Sequence, residues 1–146
     1  MARADSEFHL EVPGKPHPAA RPRFARVGAG VRTFPGKGDR EAKARIHAAW
    51  LEAGRPRVEG QWTAQIRVIV PRPKSHWCQK GLSAAGRRAG SPPADVDNYA
   101  KPVLDGLVEA GAVSDDRHCL ALSVSKHWAT SRDDPGVTAV WITARD

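Results

Sequence analysis

Four aspartates stand in two closely spaced pairs in the C-terminal part of the chain. Asp95 and Asp97 lie where a loop is predicted to enter a helix, and Asp115 and Asp116 lie just before a predicted strand. Hard cations such as Mg²⁺ prefer oxygen ligands and are usually held by one or two carboxylates together with water and phosphate. If these element ends converge in the fold, the carboxylates can hold a divalent cation.

Each of these residues also has an ordinary structural explanation. Asp97 or Asn98 could simply cap the helix that follows, and Asp115-Asp116 could simply form a turn. Lys101 lies one helical turn after Asp97, so an Asp-to-Lys pair along the helix explains it about as well as catalysis does. The spacing alone leaves these alternatives open.

Other kinds of site fit the spacing poorly. The stretch from Asp95 begins like a calcium-binding EF-hand loop, but its sixth position is Ala100 rather than Gly and its twelfth is Gly106 rather than Glu. Serine nucleophile elbows and glycine-rich phosphate loops are absent. A structural zinc site is not expected. Histidine and cysteine lie close together at His76 with Cys78 and at His118 with Cys119, but neither pair has the spacing of structural zinc ligands.

Basic residues are concentrated ahead of the aspartates. Residues 1–90 carry 18 Lys/Arg against 7 Asp/Glu, whereas residues 91–146 carry 5 against 9. A basic surface favours a polyanion because each contact with a phosphate releases condensed counterions, although such charge can also serve solubility alone. An acidic cluster on the same chain opposes polyanion binding unless a bound cation neutralises it. The charge distribution therefore favours a nucleic acid and a divalent cation.

The composition is typical of a cytoplasmic protein. No apolar run is long enough to cross a bilayer, and the first residues lack the apolar stretch of a signal peptide. The two cysteines, Cys78 and Cys119, do not form a disulfide framework, so we expect reduced thiols. The length of 146 residues predicts a single domain over 1–146.

Hydrophobic periodicity predicts an α+β (mixed α/β) fold with one mixed sheet and two main helices. Alternation predicts strands at 7–12, 61–70 and 118–128, the last with Leu120, Leu122 and Val124 facing inward, and an apolar run predicts a buried strand at 137–143. Helical spacing predicts one helix from residue 38 or 39 to Gly54, and another from about Asn98 to Ala110 with Pro102 near its first turn.

Two stretches lack a regular pattern. Residues 13–40 are rich in Pro, Gly and Arg, with a short strand expected near Val31–Phe34. Residues 71–94 form a long basic connection whose middle, 81–90, is expected to be mobile. Trp128 and Trp141 are expected to pack in the core, with a role in dimer contacts as the alternative.

The block from Asp95 to Leu107, followed by Gly111 to Asp116, resembles the RusA family of Holliday-junction resolvases. That family shows D-x-D-N-x-x-K-x-x-x-D-x-L, a short spacer, and a D-D pair before a strand. Other parts of the chain are also similar to the family: Gly14-Lys15-Pro16, Arg21-Pro22-Arg23, Phe34-Pro35 and Lys126.

The resemblance implies a Mg²⁺-dependent homodimer, with Mn²⁺ as a possible substitute, that hydrolyses phosphodiester bonds of branched DNA in recombination and repair. Asp95, Asp97 and Asp116 would hold the metal with Asp115 beside them, Asp105 would support the site, and Lys101 would assist catalysis. Tyr99 stands where the family usually has an aliphatic residue, and the 71–94 connection is long for the family. Phosphate contacts are expected from basic residues outside this block: Arg21, Arg23, Arg26, Arg32, Lys74, Arg87 and Arg88.

Two other functions remain open at the level of the sequence. The chain could be a catalytically silent module that binds branched DNA, although the complete set Asp95, Asp97, Lys101 and Asp116 argues against that. It could also be a nuclease that prefers flaps, forks or single strands. A bacterial cell or a phage-infected cell is the expected setting.

Overall fold

The elements are taken from a computed structural model, which describes residues 5–19, 23–28, 30–34 and 38–145, without the side chains of 23–27 and 31–34. Its two main helices are α1 (Asp39–Glu52) and α3 (Val96–Ala110), and α2 (Ala84–Arg88) is short. The strands are β1 (Glu7–Pro13), β2 (Arg23–Val27), β3 (Gly30–Phe34), β4 (Gln61–Val70), β5 (Trp77–Cys78), β6 (Gly81–Leu82), β7 (Cys119–Trp128) and β8 (Val137–Arg145).

A mixed four-stranded sheet forms the centre of the fold, in the order β1-β8-β4-β7. β8 is antiparallel to both β1 and β4, and β7 is parallel to β4. The even-numbered residues of β4 are all buried, from Trp62 to Val70, on the face where α1 and α3 contribute to the core. This confirms the predicted α+β class, the mixed sheet and the two main helices, and the structure adds two small two-stranded sheets, β2–β3 and β5–β6.

Strand β7 corrects one prediction about the core. Leu122 lies opposite the buried Ala64 of β4, so Leu122 and Val124 lie on the core-facing side of the sheet, whereas Leu120 lies at the register shift where the pairing begins. However, Leu120 and Leu122 are 56% and 44% exposed, because β7 is the edge strand among the described elements and its partner-free side lacks a cover. Trp141 is also exposed and stacks on His9 with ring centroids 4.8 Å apart, so its predicted core position was wrong.

Helix α3 begins two residues earlier than predicted, which places Pro102 in its interior. Proline lacks an N–H, so the carbonyl of Asn98, four residues back, loses its usual helical donor. The backbone N–H of Ala19 donates to that carbonyl instead, at 2.7 Å. The buried proline therefore creates the acceptor that fixes the end of the segment 14–19 against the start of α3.

The two irregular stretches contain more regular structure than the sequence predicted. The expected strand near 31–34 is present as β3, paired antiparallel with β2. The 71–94 connection holds a 3-10 turn (Lys74–His76), the hairpin β5–β6 and helix α2. The hydroxyl of Ser83 donates to the carbonyl of Ser75 at 2.6 Å, which ties α2 to that turn. Mobility of this connection stays a prediction.

Helices α1 and α3 approach each other closely at Gly106. A Cβ atom added there would lie 3.1 Å from the Cγ2 atom of Ile46, closer than most side chains approach, so the glycine allows the two helices to meet. Gly111 then ends α3 in a left-handed conformation with φ of 84°, which glycine adopts readily.

Replacing Gly106 by valine should destabilise the protein. The branched side chain would overfill the α1–α3 contact, and overpacking of this kind costs about 1–3 kcal/mol. Urea denaturation monitored by circular dichroism should show the lower free energy of unfolding. Gly90→Val is the matched control, because a Cβ at Gly90 meets nothing within 4 Å. Equal stability of the two variants would contradict this account of the helix contact.

Candidate active site

Asp95 and Asp97 lie together at the N-terminus of α3. Asp95 occupies the N-cap position but its side chain makes no capping hydrogen bond, and Asp97 lies in the first turn. Both side chains are exposed, and within the described residues neither makes a hydrogen bond or an ion pair. The capping explanation therefore does not account for either carboxylate, and both are available to a ligand.

The loop that carries Asp95 is held in place by Lys126 of β7. The Lys126 ammonium donates to the carbonyls of Pro92 at 2.7 Å and Ala94 at 2.8 Å. Pro92 is fully buried, so the loop is anchored directly before Asp95. Lys126 thus fixes the backbone from which α3 and its acidic first turn start.

Lys101 lies one turn after Asp97 on α3, and its side chain is exposed. No ion pair links these two residues in the portion of the chain that the structure describes. Helix α3 forms an ion pair near its other end instead, where the ammonium of Lys43 in α1 donates to the carboxylate of Glu109 at 2.8 Å. This contact raises the pKa of Lys43. The salt-bridge explanation for Lys101 thus finds no support, and its ammonium can reach a ligand near Asp97.

Asp115 and Asp116 lie beyond the other end of α3. The Asp115 carboxylate accepts from the backbone N–H of Arg117 at 3.0 Å, and this bond lowers the pKa of Asp115. The Trp62 indole N–H donates to the Asp115 carbonyl at 3.2 Å. The side chain of Asp115 therefore stabilises the turn, in agreement with the structural explanation considered from the sequence. Asp116, by contrast, is exposed.

One chain does not bring the two acidic pairs together. Asp95 adjoins the segment bonded to Lys126, and Asp116 precedes Cys119, so the pairs lie at opposite ends of β7. The strand from Cys119 to Lys126 is about 23 Å long at 3.3 Å per residue, and α3 with its 15 residues is about 22 Å long.

This separation is far larger than the reach of one ion. Two oxygens that share a Mg²⁺ ion lie only about 4 Å apart, since each sits about 2.0–2.1 Å from the metal. Among the described residues no group of three His, Cys, Asp or Glu side chains is placed to hold a metal ion. The expected convergence of Asp95, Asp97 and Asp116 is therefore not found within a single chain.

The basic residues expected to contact DNA are described only in part. Arg21 lies outside the described residues, and Arg23, Arg26 and Arg32 lie on β2 and β3 without described side chains. Arg23 follows Ala19 by four residues, so its backbone lies within about 14 Å of Ala19. Ala19 in turn bonds to Asn98, so the arginine-rich strands start near Asp95 and Asp97. The other three are exposed in the 71–94 connection: Lys74, Arg87 and Arg88.

A groove at the same end of the sheet was missed by the sequence prediction. Its volume is about 530 Å³ and its lining includes four residues that we call the tryptophan groove, namely Arg72, Lys74, Trp77 and Arg132. The Arg132 guanidinium lies over the Trp77 ring at 5.6 Å. Arg72 lies over Trp128 at 5.3 Å. The pairing of Trp77 with Arg132 spans 55 positions of the sequence, so local spacing carries no signal for it.

The tryptophan groove, Lys126 and the Asp95 loop all lie near the C-terminal ends of the parallel strands β4 and β7. The Trp128 indole N–H donates to the carbonyl of Gly90, which joins the end of β7 to the segment leading to Asp95. In open α/β sheets, ligands bind beyond the carboxyl ends of the strands. One end of the sheet thus carries carboxylates, cations and aromatic rings.

The chain belongs to the RusA endodeoxyribonuclease family, whose pattern matches residues 13–138. This membership places the chain among DNA nucleases, which are hydrolases, and confirms the resemblance inferred from the Asp95–Asp116 block. No curated protein matches the chain. None of the helices in the described part of the chain has the length and apolar character needed to span a membrane. Both cysteines are free.

Removing the Lys126 ammonium should disturb the position of Asp95. In Lys126→Met two carbonyls lose their donor, and a buried acceptor without a partner costs about 1–3 kcal/mol. Thermal unfolding should show lower stability, and DNA cleavage should lose kcat more than it changes KM. Lys126→Arg should recover part of both, because it keeps a cationic donor.

Lys80→Met is the control for charge, since Lys80 is exposed in the turn between β5 and β6. A Lys126→Met variant with normal kcat, or one that resembles Lys80→Met throughout, would show that Lys126 does not position the loop.

Proposed function

We propose that this protein is a Mg²⁺-dependent homodimeric endonuclease that cleaves Holliday junctions or related branched DNA in recombination and repair. The family supports nuclease activity on DNA junctions. The observation that carries the assignment of the site is the uncommitted, exposed carboxylate pair Asp95 and Asp97 at the start of α3, beside Lys101.

The donor set fits a hard divalent cation. Asp95 and Asp97 offer carboxylate oxygens, which suit Mg²⁺ or Mn²⁺, and such ions usually keep several waters and a substrate phosphate as further ligands. A bound ion would polarise the phosphate and make a bound water more acidic. The proposed site is formed by Asp95 and Asp97 with Asp116, and because Asp116 lies about 23 Å from them within one chain, it would come from the other subunit of the proposed homodimer.

The chain's own groups would prepare the phosphate for attack. Free N–H groups at the start of α3 favour an anion at that helix end. Lys101, one turn further along, would neutralise negative charge that develops on the phosphate or donate a proton to the leaving oxygen. Hydrolysis would break the bond between phosphorus and the 3′ oxygen, with water supplying the new oxygen.

DNA would be held mainly through its backbone. Exposed Lys74, Arg87 and Arg88 lie in the 71–94 connection, and contacts of this kind position DNA without reading its sequence. A four-way junction is two-fold symmetric and needs two cuts, which a two-fold symmetric dimer matches. The tryptophan groove adds an aromatic ring framed by cations, a combination that binds unpaired bases.

Asp97→Asn should abolish cleavage while keeping DNA binding. The substitution preserves size but removes a charged metal ligand, so nicking of a synthetic four-way junction in Mg²⁺ should fall at least about 100-fold, equivalent to about 2.7 kcal/mol in the barrier. Glu52→Gln is the control, because it also replaces an exposed carboxylate by an amide, at the end of α1. Full activity of Asp97→Asn would refute the site assignment.

The same assay separates the alternatives. Faster cleavage of flaps, forks or single strands than of the four-way junction would show a different preferred substrate. Junction binding without cleavage in any divalent metal would show a silent binding module.

Trp77→Ala should weaken binding to branched DNA. Loss of one base stacked on an aromatic ring costs about 1–3 kcal/mol, so the dissociation constant should rise about 5- to 150-fold. Fluorescence anisotropy without divalent metal measures this directly. Trp141→Ala is the matched control, an exposed tryptophan of β8 that does not line the groove. Equal binding by both variants would remove the groove from the DNA surface.

A further inference from the structure

The tryptophan groove presents one aromatic ring in a fixed position. Trp77 lies in β5, which pairs with β6 so that Trp77 is opposite Leu82. The Arg132 guanidinium lies over the ring at 5.6 Å and also donates to the carbonyl of Cys78. Side chains that are already ordered lose little conformational entropy when a ligand binds. The ring is therefore preorganised to receive a flat ligand.

Arg132 is held in turn by the loop between β7 and β8. The N–H of Ala129 donates to the carbonyl of Val70 at 2.8 Å, which fixes the loop just before Arg132. The N–H of Gly136 donates to the carboxylate of Asp134 at 2.8 Å, which fixes it just after. The arginine on one side of the groove and the tryptophan on the other thus come from separate segments, each ordered by its own backbone contacts.

The walls of the groove carry cations and unused polar groups. No carboxylate is found among the described residues that line it: Arg72, Lys74, Trp77, Cys78, Gln79 and Arg132. Lys74 and Gln79 are exposed, and their side chains make no hydrogen bond or ion pair to other described residues. Arg72 is engaged with Trp128 and with the carbonyl of Gly86, so it forms part of the wall. A ligand that matches these groups has a flat ring, a polar edge and a negative charge, as a nucleotide has.

The size and chemistry of the groove favour an unpaired nucleotide over a base pair. Its volume of about 530 Å³ lies in the range of about 300–1,000 Å³ that is usual for small-ligand sites. In duplex DNA the neighbouring base pairs cover both faces of a base, so an aromatic side chain stacks only on a base that has left the duplex stack. An acidic peptide would satisfy the cations without using the ring of Trp77.

The groove adjoins the acidic loop through Trp128. The Arg72 guanidinium, in the groove wall, lies over the Trp128 ring at 5.3 Å. Trp128 lies two residues after Lys126, about 7 Å along the strand, and Lys126 donates to the carbonyl directly before Asp95. A nucleotide in the groove therefore belongs to DNA that also passes Asp95 and Asp97, close to the cut rather than in a remote arm.

We propose that the tryptophan groove holds one unpaired nucleotide close to the scissile phosphate, with its base stacked on Trp77, the edge of the base bonded to Gln79, and its phosphate on Lys74. Occupancy of the groove then distinguishes branched DNA, in which bases beside the branch point can leave the stack, from intact duplex. The inference deepens the proposed nuclease function and rests on it, because it names the feature of the substrate that the protein recognises.

Binding to single strands tests the groove without cleavage. Fluorescence anisotropy in the absence of divalent metal compares a short oligothymidylate with a duplex of equal length. Trp77→Ala should lower the affinity for oligothymidylate about 5- to 150-fold, as expected for one stacked base, and should change the affinity for duplex little. Trp77→Phe should keep most of the single-strand affinity, and Trp141→Ala, at an exposed tryptophan outside the groove, should keep all of it. Equal single-strand affinities of Trp77→Ala and Trp141→Ala would overturn the inference.

The salt dependence of binding separates the cation from the ring. Lys74→Met removes one phosphate contact, so the slope of the logarithm of the binding constant against the logarithm of the salt concentration should fall by about 0.7 for a single strand. Trp77→Ala should leave that slope unchanged, because it removes no charge. Lys80→Met is the control, since Lys80 is exposed but does not line the groove. An equal change of slope in Lys80→Met would show that no phosphate is held at Lys74.

The position of the nucleotide is tested by removing single bases from a four-way junction. An abasic site keeps its phosphate but deprives the groove of a base, so at one position near the cut it should weaken binding by the parent protein as much as Trp77→Ala does. The same abasic site should cost Trp77→Ala nothing further, because both changes remove one contact. Losses that add at every position would show that no single base lies on Trp77.

The outcomes for the groove and for the nuclease are distinguishable. If the Trp77→Ala variant loses single-strand binding but the parent protein cuts no DNA, the proposed nuclease function fails and the groove stands. If the parent cuts junctions but Trp77→Ala binds single strands as the parent does, the groove fails and the nuclease stands. Polyglutamate that displaces the oligothymidylate as well as unlabelled oligothymidylate does would show a general anion site and would overturn the nucleotide pocket.

Discussion

The length of α3 is the constraint on which the arrangement of acidic groups depends. The helix holds Asp95 and Asp97 at its first turn, and Asp116 follows beyond its last. Because a packed helix is rigid and its rise per residue is fixed, no local adjustment can close the distance between them. Within one chain these carboxylates therefore cannot share a cation, although they are close together in the sequence.

Short-range interactions then set the geometry at one end of the sheet. Lys126 fixes the two carbonyls before Asp95, and Trp128, two residues later, bonds to Gly90 and stacks against Arg72. One strand terminus thus orders both the acidic loop and the edge of the tryptophan groove. The carboxylates of Asp95 and Asp97 make no hydrogen bonds among the described residues, because the loop before them is held in place through its backbone carbonyls.

Local patterns in the sequence predicted most of the fold, because periodicity and capping depend on neighbouring residues. Strand β4 was predicted to the residue, and α3 to within two. The start of α3 was predicted too late because proline is usual in the first turn of a helix. Pro102 lies in the interior instead, where the N–H of the distant Ala19 donates to the carbonyl that the proline leaves without a donor. Leu120 and Leu122 were placed inward because alternation gives the face of a strand but not its position in the sheet. The sequence identified the four aspartates as candidate metal ligands. It did not show how far apart the two pairs lie in space, because that distance depends on the direction of α3.

The bond from Ala19 to Asn98 gives the arginine-rich segment a fixed origin next to Asp97. This bond joins two backbone atoms, and Pro102 leaves its acceptor free. It therefore does not depend on which side chains follow residue 19. Insertions or deletions between Ala19 and α1 would change how far the basic hairpin extends while its root stays in place. The length of the basic hairpin can therefore change without moving the backbone at Asp97.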